Sequence, residues 1–256
     1  MRKKVNQHTL NKEIEQFVKV LGDKRANYNS HDLDYIRQYT GAGGQGKHGA
    51  RGEGVLYEFY TPDYICELMY QQALSHGYDG GPVLEPSIAT GNIIRPFPKE
   101  TKIVGFEINQ TTATIAKLLY PHAEIHNSYF ETAFLQPERF TTRVPAKQLT
   151  WLKDYPFSLV IGNPPYGKYK NKYSSYFKNP KIRQIEQFFM YYGLVLLKSG
   201  GLLIYLTSSN YLRNGKTYND IKQNMGKIAD LVDAYRLPPV FQFSEVPTDI
   251  LIFKKK

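Results

Sequence analysis

From about residue 82 the chain settles into a rhythm that leaves few architectures open. Short apolar runs alternate with helix-like stretches, and each run stops on a polar residue. Val83-Leu84 leads to Glu85, Ile103-Val104-Gly105-Phe106 to Glu107, Phe157 to Ile161 to Asn163, and Leu202 to Leu206 to Thr207. Between them, Gln110–Leu119 and Gln184–Leu197 carry helical spacing. Such alternation predicts an α/β fold with a mostly parallel, twisted sheet and helices on both faces. In open sheets of that kind, ligands sit beyond the carboxyl ends of the strands. Glu85, Glu107, Asn163 and Thr207 all fall at such ends. Ile250 to Phe253 reads as a last strand.

The first forty residues read as a small helical extension. Ile14, Phe17, Val18 and Leu21 recur at helical spacing before Gly22. Ser30 is placed to cap a second helix carrying Leu33 and Ile36, which would end near Gly41. Gly41 to Gly54 is dominated by glycine, with Lys47, His48 and Arg51 between, and reads as a linker-like basic loop. The expected division is residues 1–54 as extension and loop, and 55–256 as the main domain.

Charge narrows the class of partner. Lys plus Arg number 33 against 23 Asp plus Glu, a formal net charge of +10. That surplus favours an anionic partner, nucleic acid first, and basic charge mixed with 21 tyrosines suits base stacking better than simple phosphate contact. The single cysteine, Cys66, excludes an internal disulfide and a cysteine-rich zinc site, and fits a reducing compartment. His122 and His126 lie four apart in a strand-like stretch, so no metal site is expected. A mean hydropathy of -0.46 and no long apolar run predict no membrane span. The basic start, Met1-Arg2-Lys3-Lys4, lacks the apolar stretch of a secretory signal.

The most informative segment is Asn163-Pro164-Pro165-Tyr166, directly after an apolar run. An exocyclic amine or amide nitrogen is a poor nucleophile because its lone pair is delocalised. Two acceptors aimed at its N–H groups favour a more tetrahedral nitrogen. The Asn163 side-chain oxygen and the Pro164 carbonyl are suited to that task. Consecutive prolines make a rigid turn without competing donors. Tyr166 offers a flat face for a planar substrate. Upstream, Glu85-Pro86-Ser87-Ile88-Ala89-Thr90-Gly91-Asn92 reads as a strand followed by a glycine-containing loop opening a helix, a nucleotide-type site. Glu107 ends the next strand, where dinucleotide folds hold ribose hydroxyls with an acid.

Taken in order, these segments resemble the S-adenosylmethionine-dependent adenine-N6 DNA methyltransferases of the γ arrangement, from about Tyr57 to Phe253. The resemblance implies a Rossmann-like class I methyltransferase fold and S-adenosylmethionine as cofactor. It casts Phe59, Tyr60, Thr61 and Pro62 as the family's N-terminal cofactor motif, and Glu85, Pro86, Ser87, Ala89, Gly91 and Asn92 as its Gly-rich motif. Glu107 follows as the acidic ribose ligand, with Ile108 beside it as a further cofactor contact. Ser128, Tyr129 and Phe130 fall near the cofactor adenine, and Asn163 to Tyr166 is the catalytic motif. Phe241 resembles the aromatic on the far side of a flipped base. Ala89 stands where the family carries glycine, and Tyr129 where it often carries aspartate. Lys168, Lys170 and Lys172, interleaved with Tyr169 and Tyr173, are read as DNA contacts. No target-recognition domain is evident after the last strand, so specificity is expected to be low, or to come from N-terminal elements or a partner subunit. The resemblance implies DNA as partner and a cytoplasmic setting in a bacterium, phage or mobile element. An RNA adenine, a protein glutamine, or a non-catalytic subunit of a methyltransferase complex remain as alternatives.

Overall fold

The computed structural model describes residues 6–41, 60–135, 156–213, 216–241 and 247–256. Most of the Gly41–Gly54 segment lies outside them, as does Phe59.

Seven strands form one sheet in the order β3-β2-β1-β4-β5-β7-β6. They are β1 (Val83–Glu85), β2 (Ile103–Phe106), β3 (Glu124–His126), β4 (Phe157–Gly162), β5 (Leu197–Ser208), β6 (Ala229–Leu237) and β7 (Thr248–Lys255). The first five pair in parallel; β7 lies antiparallel between β5 and β6. Every residue of β4 is buried. A central parallel strand is covered on both faces, which is why it reads as an unbroken apolar run.

Successive strand residues feed opposite layers. Leu84, Val104, Val160, Leu203 and Leu251 pack under α5 (Ile185–Leu196) and α6 (Lys216–Ile228). Val83, Ile103, Leu159, Ile204 and Ile252 pack with Ile65, Met69 and Ala73 of α3 (Asp63–Ser75). Helix α4 (Gln110–Leu119) joins that second layer through Ala116.

The N-terminal helices dock outside α4. Ile14 and Val18 of α1 (Gln7–Leu21) and Ile36 of α2 (Ser30–Ile36) meet Ile115 and Leu118. Gly22 takes φ +77 just after α1, a conformation that costs glycine no Cβ clash. The cap of α2 is Asn29, one residue before the expected Ser30. Its side chain accepts from the Asp32 N–H while Asp32 accepts from the Asn29 N–H. This helix ends at Ile36, well short of Gly41.

A second correction falls after β1. No helix opens at Gly91. Residues 92–97 run as successive turns, with Ile94 N–H donating to Gly91 O at 3.2 Å and Phe97 N–H to Ile94 O at 3.1 Å. Pro96 and Pro98 explain this, since proline lacks the donor a helix needs and disfavours helical backbone in the residue before it.

Candidate functional site

Strands β1, β2, β4 and β5 deliver their ends to one edge of the sheet. Glu85, the last residue of β1, is fully buried. Its Oε1 accepts from the N–H and the hydroxyl of Ser87, both at 3.2 Å. Its Oε2 is buried with no hydrogen-bond partner among the described residues. Burial pushes this carboxyl well above the ordinary carboxylate range, only partly opposed by the Ser87 bonds, and neighbouring Glu107 pushes the same way. A buried acid with one oxygen unserved is suited to a donor-bearing or cationic ligand group.

The loop after β1 closes tightly. Ala89 takes φ +48, the left-handed region where the family's glycine would be at ease. Gly91 takes φ +87, and a Cβ there would stand 2.5 Å from the Tyr120 ring. Tyr120 is backed by Arg37, whose guanidinium donates to the Tyr120 hydroxyl at 3.3 Å. Thus α2 buttresses the loop through one aromatic ring. At the end of β2, Glu107 Oε1 accepts from Asn109 N–H at 2.7 Å, and Asn127 Nδ2 donates to the Glu107 carbonyl at 2.8 Å. Ile108 is 37% exposed beside it, an apolar surface at a polar strand end.

The turn after β4 meets this loop because β4 pairs with β1. Ser87 Oγ donates to the Asn163 carbonyl at 3.3 Å. The Asn163 amide is held at both ends. Its Nδ2 donates to Thr61 Oγ1 at 3.2 Å, and its Oδ1 accepts from the Tyr166 hydroxyl at 2.9 Å. Pro164 is buried, whereas Pro165 and the Tyr166 ring are half-buried. Burial raises the Tyr166 hydroxyl, with Glu186 and Tyr218 adding to the shift, so it remains a protonated donor at neutral pH. Cys66 is buried and its thiol pushed up to about 12, chiefly by burial, which leaves it no thiolate to react with.

The structure distributes the other expected residues unevenly. Tyr60 packs against Gly41 and edge-on to Tyr39, and Pro62 caps α3. Pro86 is buried directly behind Glu85. Ser128 Oγ accepts from Thr132 Oγ1 at 3.1 Å. Phe130 is 2% exposed in the core, its ring 5.2 to 5.8 Å from those of Phe106, Phe134, Phe188 and Phe189. Phe241 is also buried, in the layer with Ile204 and Ile250.

The basic, tyrosine-rich segment divides into two populations. Lys168, Lys170 and Lys172 are exposed, but Tyr169 stacks on Phe188 at 4.9 Å and Tyr173 is buried. These tyrosines belong to the core and are not a stacking surface for bases. Lys172 Nζ lies 5.0 Å from the Tyr129 ring centroid and 4.9 Å from that of Tyr173. The segment folds back because Tyr169 N–H donates to Arg183 O and Ile185 N–H to Gly167 O, each at 2.9 Å. Two buried acids behind it escape a reading from sequence. Glu131 accepts from Asn171 Nδ2 and Glu186 from the Tyr218 hydroxyl, each at 2.6 Å. Their partners lie 40 and 32 residues away, beyond any local pattern.

These residues fit a nucleoside-type cofactor. The unserved Glu85 Oε2 is available to a donor-bearing group, and Glu107 and Ile108 set an acid beside an apolar surface. Among the described residues, no group of three or more His, Cys, Asp or Glu converges to hold a metal ion. No helix among them is long and apolar enough to cross a membrane.

Comparison with known proteins agrees with this architecture. A family profile described as Eco57I restriction-modification methylase matches residues 101–241. Defense against restriction protein B of Escherichia phage P1 is 26% identical over 200 residues, covering 78% of this chain and 8% of that protein. Type II methyltransferase M.CvrRI of Paramecium bursaria Chlorella virus XZ-6E is 27% identical over 111 residues, covering 42% of this chain and 24% of that protein. The chain therefore spans less than a quarter of either relative. Among solved structures, the type I restriction-modification methyltransferase subunit from Streptococcus thermophilus aligns with a TM-score of 0.60 at 20% identity, over 96% of this chain and 58% of that one. The EcoKI M protein aligns with a TM-score of 0.55 at 17% identity, over 77% and 44%. The fold is that of the class I S-adenosylmethionine-dependent methyltransferases.

Proposed function

Because the chain belongs to the Eco57I restriction-modification methylase family, we propose that it methylates the N6 amine of adenine in DNA, with S-adenosylmethionine as methyl donor. One observation carries the reading. At the end of β4, the Asn163 amide is held at both ends beside the unserved acid of β1. That is what a reluctant amine nucleophile needs from a protein.

Glu85, Ser87, Gly91, Glu107 and Ile108 would hold the cofactor. When bound, it supplies an electrophilic methyl group on sulfonium. The chain's own residues prepare the acceptor. The Asn163 side-chain oxygen and the Pro164 carbonyl are the two acceptors offered to it. Together they take the amine N–H groups, so its lone pair localises on nitrogen. The departing proton passes to water, since no general base adjoins the turn among the described residues. Catalysis is then positioning and hydrogen bonding in a water-poor site.

The adenine amine is tied up in a duplex, so the base is extruded to reach this edge of the sheet. The Tyr166 ring is the stacking surface, worth roughly 1–3 kcal/mol per base. The net charge of +10 and exposed Lys168 and Lys170 support DNA as the polymer. The phage and viral relatives support a restriction-modification or mobile-element setting.

Labelled S-adenosylmethionine incubated with unmethylated duplex and single-stranded DNA tests the reading, with nucleosides analysed by mass. N6-methyladenine is the expected product. Label entering RNA or a protein glutamine instead, with none in DNA, overturns it.

A further inference from the structure

The loop after β1 takes left-handed backbone at two residues, Ala89 at φ +48 and Gly91 at φ +87. Such a conformation persists where the surroundings hold it. Part of the hold is local. Ile88 N–H donates to the Phe106 carbonyl at 2.9 Å, and Gly91 N–H to the Ile88 carbonyl at 2.8 Å. The rest comes from outside the loop. The space that a side chain at Gly91 would fill is taken by Tyr120, whose Cε2 and Cδ2 lie 2.5 and 2.6 Å from where a Cβ would stand. Tyr120 is 6% exposed, so its ring is a wall behind the loop and not a surface residue.

What holds that ring is the N-terminal extension. Tyr120 caps α4, and its N–H donates to the Ala116 carbonyl at 2.8 Å, which fixes its backbone but not its side chain. At the far end of the ring, Arg37 Nη1 donates to the hydroxyl at 3.3 Å, from 83 residues away in sequence. The guanidinium carbon lies 5.9 Å from the ring centroid. Arg37 is firmly placed for this. It caps α2, its N–H donates to the Leu33 carbonyl at 3.0 Å, and the adjoining Ile36 is fully buried in the cluster with Ile115 and Leu118 of α4. The extension meets the site at a second point, where Tyr39 packs edge-on to Tyr60 with ring centroids 6.5 Å apart.

We propose that the N-terminal extension is part of the cofactor site and that Arg37 is its positioning residue: through the Tyr120 hydroxyl it holds the ring against Gly91 and keeps the loop after β1 in its cofactor-binding shape. This assignment rests on the reading of that loop as the place where S-adenosylmethionine binds. It does not depend on which polymer is methylated.

Arg37→Met keeps the aliphatic stem and loses the donor. Tyr120→Phe keeps the ring and loses the hydroxyl, and serves as the milder variant should the first perturb folding. Both, and the double variant, are compared with the parent as full chains. Cofactor Kd is measured by calorimetry without DNA, and exchange of the Gly91 backbone amide by ¹⁵N NMR without cofactor. Each single variant is expected to raise Kd about five- to tenfold, the size that loss of one hydrogen bond to a charged group implies. The Gly91 amide exchanges severalfold faster in each. The double variant raises Kd no further than either single one, because both remove the same contact.

An unchanged Kd in the two single variants overturns the proposal. So does a raised Kd with Gly91 exchange at the parent rate, or a double variant whose losses add in full. A lower melting temperature with parent Kd and parent exchange would make Arg37 a stabiliser of the extension and nothing more. A parent chain that binds no S-adenosylmethionine overturns this proposal together with the cofactor site. One that binds it but methylates no DNA removes the proposed function alone, and Kd still decides the role of Arg37.

Discussion

Asn163 is held by a threonine, a serine and a tyrosine from three separate stretches of chain. Such a group is expected to matter far more to rate than to cofactor affinity. Asn163→Ala should lower kcat by roughly 10²–10³, the range found for preorganised groups that act on the transition state, with cofactor Kd nearly unchanged. Single-turnover rates beside calorimetry give both numbers; equal losses would move Asn163 into the cofactor site. Ala89 makes the opposite kind of prediction. At φ +48 an L-residue carries about 1–2 kcal/mol of backbone strain, against roughly 0.5–1 kcal/mol of extra unfolded-chain entropy for glycine. Ala89→Gly should therefore raise the unfolding free energy by about 0.5–1 kcal/mol in urea titration. A loss of stability would mean that the methyl group of Ala89 makes packing contacts worth more than the strain.

At the scale of elements, the segment between β4 and α5 is shaped by what lies beneath it. Gly167 and Ile185 close its ends, its tyrosines turn into the aromatic core, and its lysines remain outside. Glu186 sits below this closure, 4% exposed, with Oε1 serving Tyr218 of α6 and Oε2 without a hydrogen-bond partner among the described residues. Burial raises its carboxyl above the ordinary 4.5, and the bonds from Tyr218 and the Gly167 N–H only partly offset that. A raised acid stabilises the fold fully below the unfolded value. As pH climbs past 4.5, the unfolded chain releases a proton that the folded chain keeps, and that stability is lost up to the folded value. Glu85 and Glu131 act in the same direction. Glu186→Gln removes one such group, so its stability relative to the parent should improve as pH rises from 4.5 toward the raised folded value. The slope is at most about 1.4 kcal/mol per pH unit. A flat difference across that window would show that Glu186 titrates as an ordinary surface acid.

For the whole molecule, the charge excess and the exposed lysines beside the Asn163–Tyr166 turn set an electrostatic expectation for the proposed DNA methylation. DNA affinity should fall steeply with salt, on a linear log–log plot. Lys168→Ala and Lys170→Ala should each reduce the slope by about 1 if they sit on phosphates, with little change in base preference. An unchanged slope would assign DNA contact to another face.

Much of the central sheet is legible in the residues themselves. Runs buried on both faces are continuously apolar, so β1, β2 and β4 stand out, and helix α4 spans the predicted Gln110–Leu119. Helix α6 and strand β6 are harder to see. Few of the α6 residues are apolar, and Tyr218, Ile221 and Met225 dock it. Strand β6 lies at the sheet edge with Leu231 and Val232 exposed and Asp230 and Asp233 among them, so it lacks the alternation of a half-buried strand. The turns after Gly91 show the limit of motif reading, since prolines five and seven residues further on decide against a helix.

What the amino-acid sequence determines by itself is local. It places a polar group at the end of each strand and proline after Asn163, because these depend on a residue and its neighbours within a turn. Tertiary structure alone decides which of those groups meet. Pairing of β4 with β1 brings Asn163 to Ser87, and the docking of α3 carries Thr61 to the same amide. Packing likewise turns Tyr169, Phe130 and Phe241 inward, since an aromatic ring faces core or solvent according to what covers it. Contacts across a hundred residues leave no periodic trace, and only the folded chain reveals the clamp on Asn163.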